Sequence, residues 1–278
     1  MNANLKDLNV QEFNLKDQIG IDYWHTNILD KNQKSISAGF GQQIEKSRSI
    51  AYSEFLERSA FIKIKNSDEN TKNKWGLNII PTGCGFAAGY NLKNVILRSI
   101  GEAAERWTMS KWIDDSNHIE KITLEENLDQ ASKWFYSQFD KVDLYKKTIV
   151  VQYADKFLKY DIGFSLGFKN DGVFPGSAFD YSNSGLWQHA LLESYRHYLI
   201  FKNNTVKYGF PDNKVHFFAS NAGIAIDQIS KAKNTIWPSP TINMHNSEYC
   251  QNENFYLART IFSGWKSWNL GPVERFLY

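Results

Sequence analysis

The sequence predicts a mixed α/β fold in which antiparallel sheets pack against helices. Helical spacing of apolar residues is clearest in three segments, residues 45–64, 92–112 and 184–201. Two short β-rich segments, 148–153 and 160–168, are separated by a charged turn and predict paired strands, and 215–220 predicts another strand. These helices and strands alternate irregularly, which favours α+β packing over a regular parallel sheet.

Composition sets limits on the class of protein. A chain of 278 residues that is 42% hydrophobic can bury a core of one large domain or two small ones. The formal net charge of +2 and the absence of aromatics interleaved with basic clusters argue against nucleic acid as a partner. No segment resembles a signal peptide or a membrane span, so we expect a cytoplasmic protein without a membrane partner. The two cysteines, Cys84 and Cys250, lack metal-ligand spacing and are expected to be reduced thiols.

The first predicted helix carries two glutamates on an apolar face. Glu54 and Glu57 are three residues apart and share that face with Ile50 and Phe61. A carboxylate in apolar surroundings must be paired, protonated or bound to a metal, because an isolated buried charge is too costly. An ion pair with Arg58 or with a lysine is the alternative to a metal site. Without a metal, neutralising Glu54 is expected to stabilise the fold.

The third predicted helix repeats this pattern. Glu193 lies between Leu186 and Ile200 at seven-residue spacing, with His189 and His197 four residues away on either side. We therefore expect this glutamate to be shielded from solvent as well. Histidines at helical spacing are more often hydrogen-bonded structural groups than zinc ligands, so a structural role is favoured for both.

The second predicted helix separates apolar from charged residues. Its apolar stripe consists of Val95, Ile96, Ile100, Ala103 and Trp107. This stripe leaves Arg98, Glu102 and Glu105 on the opposite side, where periodicity predicts a solvated, charged face.

A glycine-rich loop precedes that helix. Residues 82–89 contain three glycines, which permit close backbone approach and unusual dihedral angles, and Asn91 is a good N-cap for the helix. Backbone N–H groups in such a loop can hold phosphate. The loop is not a Walker motif, because no Gly-Lys-Ser/Thr follows it.

Taken together, these motifs resemble those of the YcaO family. The first half of the resemblance is Gly39-Phe-Gly41 followed by Ser53-Glu-Phe-Leu-Glu-Arg58. The second half is Gly85-Phe-Ala-Ala-Gly89, Gly101-Glu-Ala-Ala-Glu-Arg106 and Ala190-Leu-Leu-Glu193. The resemblance covers roughly residues 39–201 and implies one YcaO-like catalytic domain over residues 1–278.

The resemblance implies a site for ATP and Mg2+. The implied metal ligands are Glu54, Glu57, Glu102, Glu105 and Glu193. Of these, the implied catalytic residues are Glu102, Glu105 and Glu193. The implied nucleotide contacts are Gly39, Gly41, Arg58, Gly85, Ala88, Gly89, Arg106 and Arg196. Magnesium takes carboxylate oxygens and neutralises phosphate charge, which suits this assignment. For Arg58 and Arg106 an ion pair with the glutamates is the alternative.

The implied activity is ATP-dependent activation of backbone amides in a ribosomally made precursor peptide. The product is an azoline in the most favoured case, with a thioamide or an amidine as alternatives. The chain offers little length for a module that binds a leader peptide, so we expect a partner protein to bind it, in a homo- or hetero-oligomer.

Several positions depart from the family pattern and support a different function. They are Phe40, Gln43, Tyr90 and Asn94. Arg196 also departs from the pattern, where a glutamine is common in the family. The alternative hypothesis is therefore a scaffold subunit that keeps the fold and binds a peptide or partner protein without ATP turnover.

The C-terminal segment is rich in aromatic residues, which are Trp265, Trp268, Phe276 and Tyr278. Because tryptophan and tyrosine are frequent in interface hot spots, this segment is a candidate docking surface for the partner. Packing into the core is the equally weighted alternative.

Overall fold

The computed structural model describes residues 8–123, 128–180, 185–203, 210–233, 236–251, 253–267 and 271–276, with side chains omitted at 210–212. The chain forms two compact units. Unit 1 consists of Met1–Ser99 and Met244–Thr260, and unit 2 consists of Ile100–Asn243 and Ile261–Tyr278. That residues 1–278 act as one catalytic domain stays a prediction.

Helices and strands alternate irregularly along the chain. The helices are α1 Lys16–Ile19, α2 Ile44–Lys65, α3 Glu69–Lys74, α4 Leu92–Ile113, α5 Gln130–Tyr136, α6 Leu186–Lys202, α7 Phe210–Phe218 and α8 Ala222–Ser230. The strands are β1 Asn9–Asn14, β2 Trp24–Leu29, β3 Ser35–Gly41, β4 Phe86–Gly89, β5 Glu120–Ile122, β6 Lys141–Tyr153, β7 Lys156–Lys169, β8 Gly172–Asp180, β9 Ile242–Cys250 and β10 Phe255–Phe262. Within the described ranges, no helix is both long enough and apolar enough to cross a membrane.

Unit 1 is built around α2. The antiparallel sheet β1-β2-β3 packs on this helix through β2 and β3, and the sheet β4-β10-β9 contacts it through β4. The core of the unit gathers Phe55 and Leu56 of α2 with Phe86 of β4 and Leu257 of β10. Trp75, which follows α3, stacks on Phe86 at a ring distance of 5.6 Å. The glycine-rich loop therefore leads into a strand that is buried in this core.

Unit 2 is built around the antiparallel sheet β5-β6-β7-β8. Helix α6 packs on β7 and β8. Trp112 near the end of α4 contacts Tyr145 of β6 and Phe164 of β7, at ring distances of 4.8 and 5.1 Å. The α4 segment of this unit is buried on most sides, since Ala103, Ala104, Trp107 and Thr108 are all 1% exposed or less. Residues on both sides of the apolar stripe are therefore buried as well, and little of this segment is exposed to water.

The structure confirms the mixed α/β class, and α2, α4 and α6 coincide closely with the three predicted helices. The predicted strand pair is confirmed as the β6–β7 hairpin. The predicted strand at 215–220 is wrong, because residues 210–218 form α7. Val215 and Phe218 are both fully buried and are three residues apart, so their spacing is that of one helix face.

Candidate functional site

Two of the predicted glutamates contact the same serine in unit 2. Glu105 of α4 accepts a hydrogen bond from Ser177 Oγ at 2.7 Å. Glu193 of α6 accepts a hydrogen bond from the backbone N–H of Ser177 at 2.6 Å, and its Oε2 lies 3.3 Å from Ser177 Oγ. The structure thus brings Glu105 and Glu193 together at β8, although they are 88 positions apart in the sequence.

Close packing of α6 on β8 explains why this meeting point exists. Gly176 precedes Ser177, and a Cβ atom at Gly176 would lie 2.0 Å from the carbonyl oxygen of Ala190 and 2.5 Å from the amide nitrogen of Ser194. Only a glycine fits so near a helix backbone. The glycine therefore lets α6 approach until Glu193 reaches the backbone of the next residue.

Burial sets the electrostatics of this pair. Glu105 is 4% exposed, and burial raises its pKa to about 7. The positive charge of Arg106 opposes that rise in the pKa, whereas the negative charge of Glu193 adds to it. The hydrogen bond from Ser177 lowers the pKa of Glu105, and the charge of Glu102 raises it. The predicted solvated face is therefore wrong at Glu105, because α4 is covered on that side too, while Glu102 is half-buried.

A histidine next to this pair is structural. His197 Nδ1 lies 2.6 Å from the carbonyl oxygen of Pro175. Because a carbonyl only accepts, Nδ1 carries the proton and donates it. Burial lowers the pKa of His197, which favours the neutral ring. This outcome agrees with the structural role favoured from the sequence.

The carboxylate pair fits the chemistry of a magnesium ion. In the part of the chain that the structure describes, no three or more His, Cys, Asp or Glu side chains are grouped to hold a metal by themselves. Magnesium is usually held by one or two carboxylates together with water and phosphate oxygens rather than by a full protein cage. The negative charge of Glu193 raises the pKa of Glu105, and a cation bound between the two carboxylates would remove that repulsion, so the pair is a suitable donor set.

The glutamates of unit 1 have a different environment. Glu54 accepts a hydrogen bond from the backbone N–H of Ala38 at 2.9 Å and forms an ion pair with Arg58. Arg58 also donates to the carbonyl oxygen of Ile36 at 2.7 Å. These contacts join α2 to β3, which is the ion-pair arrangement left open by the sequence. Glu57 is half-buried on the same helix, and metal binding by both glutamates stays a prediction.

The implied nucleotide contacts also differ in their surroundings. A Cβ atom at Gly39 would lie 2.0 Å from the carbonyl oxygen of Ser47, so this glycine lets β3 pack on α2. The side chain of Ala88 belongs to the unit 1 core, and its carbonyl oxygen accepts a hydrogen bond from Arg98 at 3.1 Å. Gly41 and Gly89 are buried at the ends of β3 and β4. Nucleotide binding by these residues stays a prediction.

The two remaining arginines lie in unit 2. Arg106 Nη1 is 3.6 Å from Glu105 Oε1, so the two side chains form an ion pair. The Arg106 side chain is 17% exposed. Arg196 is exposed on α6. A phosphate contact by either arginine stays a prediction.

The structure shows the contacts of several residues that depart from the family pattern. The ring of Phe40 stacks on His25 at 4.1 Å and 6°. Gln43 is the N-cap residue of α2, and its carbonyl oxygen accepts from the N–H of Ser47 at 3.0 Å. Tyr90 is 58% exposed beside the N-terminus of α4. The predicted N-cap of that helix is confirmed, because Asn91 Oδ1 accepts from the N–H of Asn94 at 3.1 Å.

The predicted docking surface at the C-terminus is wrong for its described residues. Trp265 is 7% exposed and Phe276 is 1% exposed, so both pack in the core. Phe276 contacts Phe218 of α7 at a ring distance of 4.8 Å. Trp268 and Tyr278 lie outside the described residues.

Sequence reasoning missed Ser177 and Gly176. A glycine within a strand is a signal for close backbone approach, and Gly176 lies inside β8. Nothing in the local sequence indicates that Ser177 would contact two glutamates from different helices.

No protein-family model matches the sequence, and no curated protein is similar to it in sequence. Solved structures are similar in fold. The structure of YcaO from Methanopyrus kandleri bound with AMPPCP and Mg2+ has a TM-score of 0.61 and 12% identity, covering 92% of this chain and 85% of that one. The E. coli microcin synthetase McbBCD complex with pro-MccB17 bound has a TM-score of 0.60 and 10% identity, covering 91% and 87%.

A heterocyclase in complex with substrate and cofactor is also similar, with a TM-score of 0.57 and 11% identity over 93% of this chain and 49% of that one. At these identities the likeness concerns the fold. It extends over more than nine-tenths of the chain, well beyond the motifs at residues 39–201. The chain therefore has the YcaO fold.

Proposed function

We propose that this chain binds ATP with magnesium and activates backbone amides of a ribosomally made precursor peptide. The observation that carries the proposal is the contact of Glu105 and Glu193 with one serine, within a YcaO fold. Both glutamates belong to the motifs from which a metal role was inferred. A similar structure is described as binding an ATP analogue and Mg2+, which supports the same ligands here.

The chemistry requires charge neutralisation more than a protein nucleophile. A thiol or hydroxyl of the substrate adds to the preceding amide carbonyl carbon, and the resulting oxyanion takes the terminal phosphoryl group of ATP, releasing ADP. Loss of phosphate and of the amide proton then leaves a C=N bond, which gives an azoline. An external sulfur or nitrogen nucleophile would give a thioamide or an amidine instead.

The chain contributes positioning and electrostatics to this reaction. When bound, magnesium neutralises phosphate charge and polarises the phosphoryl oxygens. Glu105 and Glu193 would hold it in unit 2, with Glu102 nearby. Ser177 orients both carboxylates through its hydroxyl and its backbone N–H. We expect a partner protein to supply the leader-peptide contact, as a precursor is bound in the similar microcin synthetase complex.

A scaffold role is the second candidate, and the stacking of Phe40 on His25 favours it. That stacking occupies the ring of the residue between the two glycines Gly39 and Gly41, where a lysine is typical of the family. A scaffold subunit would bind the peptide or partner protein without hydrolysing ATP.

Titration calorimetry with ATP, with and without magnesium, distinguishes the two functions. We expect saturable, magnesium-dependent binding, and ADP release with loss of one water per ring when precursor peptide and neighbouring gene products are added.

Glu105→Gln and Glu193→Gln should abolish turnover, whereas Glu120→Gln on β5 should not, because Glu120 is exposed. Absence of saturable binding at millimolar ATP by folded protein would favour the scaffold.

A further inference from the structure

One buried arginine in unit 1 gathers the backbone that leads into the glycine-rich loop. Arg259 lies on β10 and is fully buried. Its guanidinium donates to the carbonyl oxygens of Trp75, Ile80, Thr82 and Cys84, with distances of 2.6 Å to Ile80 and 2.8 Å to Thr82. Arg259 also lies over the ring of Phe86, with its Cζ atom 4.6 Å from the ring centroid.

These contacts are specific to a guanidinium group. Arginine presents five N–H donors in one rigid plane and stacks on aromatic faces, whereas lysine has a compact ammonium with three rotatable donors. A single planar group can therefore bind carbonyls that come from residues 75–84 of the chain. A buried cation needs hydrogen-bond acceptors to compensate for the water that it has lost. The hydrogen bonds that serve this purpose also hold these carbonyl groups in place.

The geometry of the peptide bond extends this effect to the opposite side of the loop. The peptide bonds of the described chain are all trans, so each N–H points opposite to the carbonyl of the same peptide group. The carbonyls of Thr82 and Cys84 face Arg259, and the N–H groups of Gly83 and Gly85 therefore point away from it. These peptide dipoles are aligned with the cation, which makes the two N–H groups better donors to an anion.

The residue after Arg259 fixes the same loop. Thr260 N–H donates to the carbonyl oxygen of Gly85 at 3.0 Å, and Ser99 Oγ donates to it at 2.9 Å. Gly85 has a φ of +79°, and a Cβ atom there would lie 2.1 Å from the carbonyl oxygen of Thr260. Two consecutive residues of β10 thus hold the loop from Thr82 to Gly85.

We propose that Arg259 is a positioning residue that orders the glycine-rich loop and directs the N–H groups of Gly83 and Gly85 toward a phosphate oxygen of the nucleotide. That the ligand is a nucleotide phosphate rests on the proposed function. The ordering of the loop by Arg259 is a property of unit 1 alone and is testable without ATP.

The first experiment compares Arg259→Lys with wild type. Hydrogen exchange of the peptide covering residues 75–89 should accelerate about tenfold or more in the variant, because the loss of two or more carbonyl contacts destabilises the loop. The KM for ATP should rise about tenfold while kcat falls less, since the loop would bind the phosphate equally in the ground state and in the transition state. If Arg259 had only a structural role, the substitution would lower stability without raising KM more than it lowers kcat.

Arg275→Lys is the matched control. Arg275 is a half-buried arginine in unit 2 whose side chain is 14% exposed, and it forms an ion pair with Asp114 and donates to the carbonyl oxygen of Ser267. We expect Arg275→Lys to lower the unfolding temperature and to leave both the exchange of residues 75–89 and the KM for ATP unchanged. Unchanged exchange and ATP affinity in folded Arg259→Lys would overturn the proposal.

A measurement on the wild type covers the case in which Arg259→Lys does not fold. With 15N-glycine labelling, titration with magnesium and ATP should shift the amide resonances of Gly83 and Gly85. Saturable ATP binding that moves neither resonance would overturn the proposal. If the wild type binds no ATP, the proposed function and the phosphate contact both fail, and the exchange comparison alone decides whether Arg259 orders the loop.

Discussion

Glu193 raises the pKa of Glu105, and both carboxylates contact Ser177. Such a pair is costly in the absence of a cation, because two like charges share a site from which water is largely excluded. Functional sites often retain an arrangement of this kind at the expense of stability. The relationship therefore makes predictions for stability as well as for activity.

Glu105→Gln should stabilise the metal-free protein above pH 7. The folded-state pKa of Glu105 is raised from 4.5 to about 7, so its protonation stabilises the fold fully below pH 4.5, and this contribution is lost as the pH rises through 7. The gain in the free energy of unfolding on substitution should grow from about zero at pH 4 to about 1–3 kcal/mol at pH 8. Urea unfolding without divalent cations measures it.

Glu120→Gln is the control for this prediction, because Glu120 is exposed on β5 of the same unit. Its effect on the free energy of unfolding should be the same at both pH values. If the change in the free energy of unfolding had the same pH dependence in both variants, burial would not be the cause of the raised pKa of Glu105.

Ser177→Ala should raise the pKa of Glu105 above its wild-type value, because the hydroxyl hydrogen bond lowers it. The substitution should also lower the free energy of unfolding by about 1–2 kcal/mol. Ser165→Ala is the control: Ser165 is a fully buried serine on β7 whose hydroxyl contacts Ser194 and the carbonyl of Ala190. It should destabilise similarly and leave the Glu105 titration, followed by carboxyl NMR, unchanged; a shift in both variants would contradict this assignment.

Gly176→Ala should destabilise unit 2 by about 3 kcal/mol or more, because the new methyl group would overlap the backbone of α6. Gly223→Ala is the matched substitution, since a Cβ atom there meets nothing within 4 Å and the residue is helical. It should raise the free energy of unfolding by about 0.5–1 kcal/mol through helix propensity. Thermal unfolding compares them, and a tolerated Gly176→Ala would mean that α6 packs less closely on β8.

Glu54→Gln should lower the free energy of unfolding by about 0.5–1.5 kcal/mol. The sequence led to the opposite expectation, but the contacts with Arg58 and with the N–H of Ala38 reverse its sign. A double-mutant cycle with Arg58→Gln should yield a coupling energy of about 0.5–1 kcal/mol. Glu45→Gln, at an exposed position of α2, is the control, and a stabilised Glu54→Gln variant would restore the original expectation.

Local sequence patterns are sufficient to predict the mixed α/β class, the three long helices and the positions of the glutamates along them. Those features depend on periodicity and on local hydrogen bonds, such as the N-cap at Asn91, which short segments encode. Periodicity failed at 215–220, where an apolar run compatible with a strand forms α7.

Which of these residues meet depends on long-range packing. A helical period identifies faces but not how many of them become covered, so Glu105 was assigned to solvent although packing buries it. Ser177 contacts Glu105 across 72 positions and Arg259 contacts Cys84 across 175, and no local pattern encodes such contacts. They arise because close backbone packing at Gly176 and Gly85 brings distant segments within hydrogen-bonding distance.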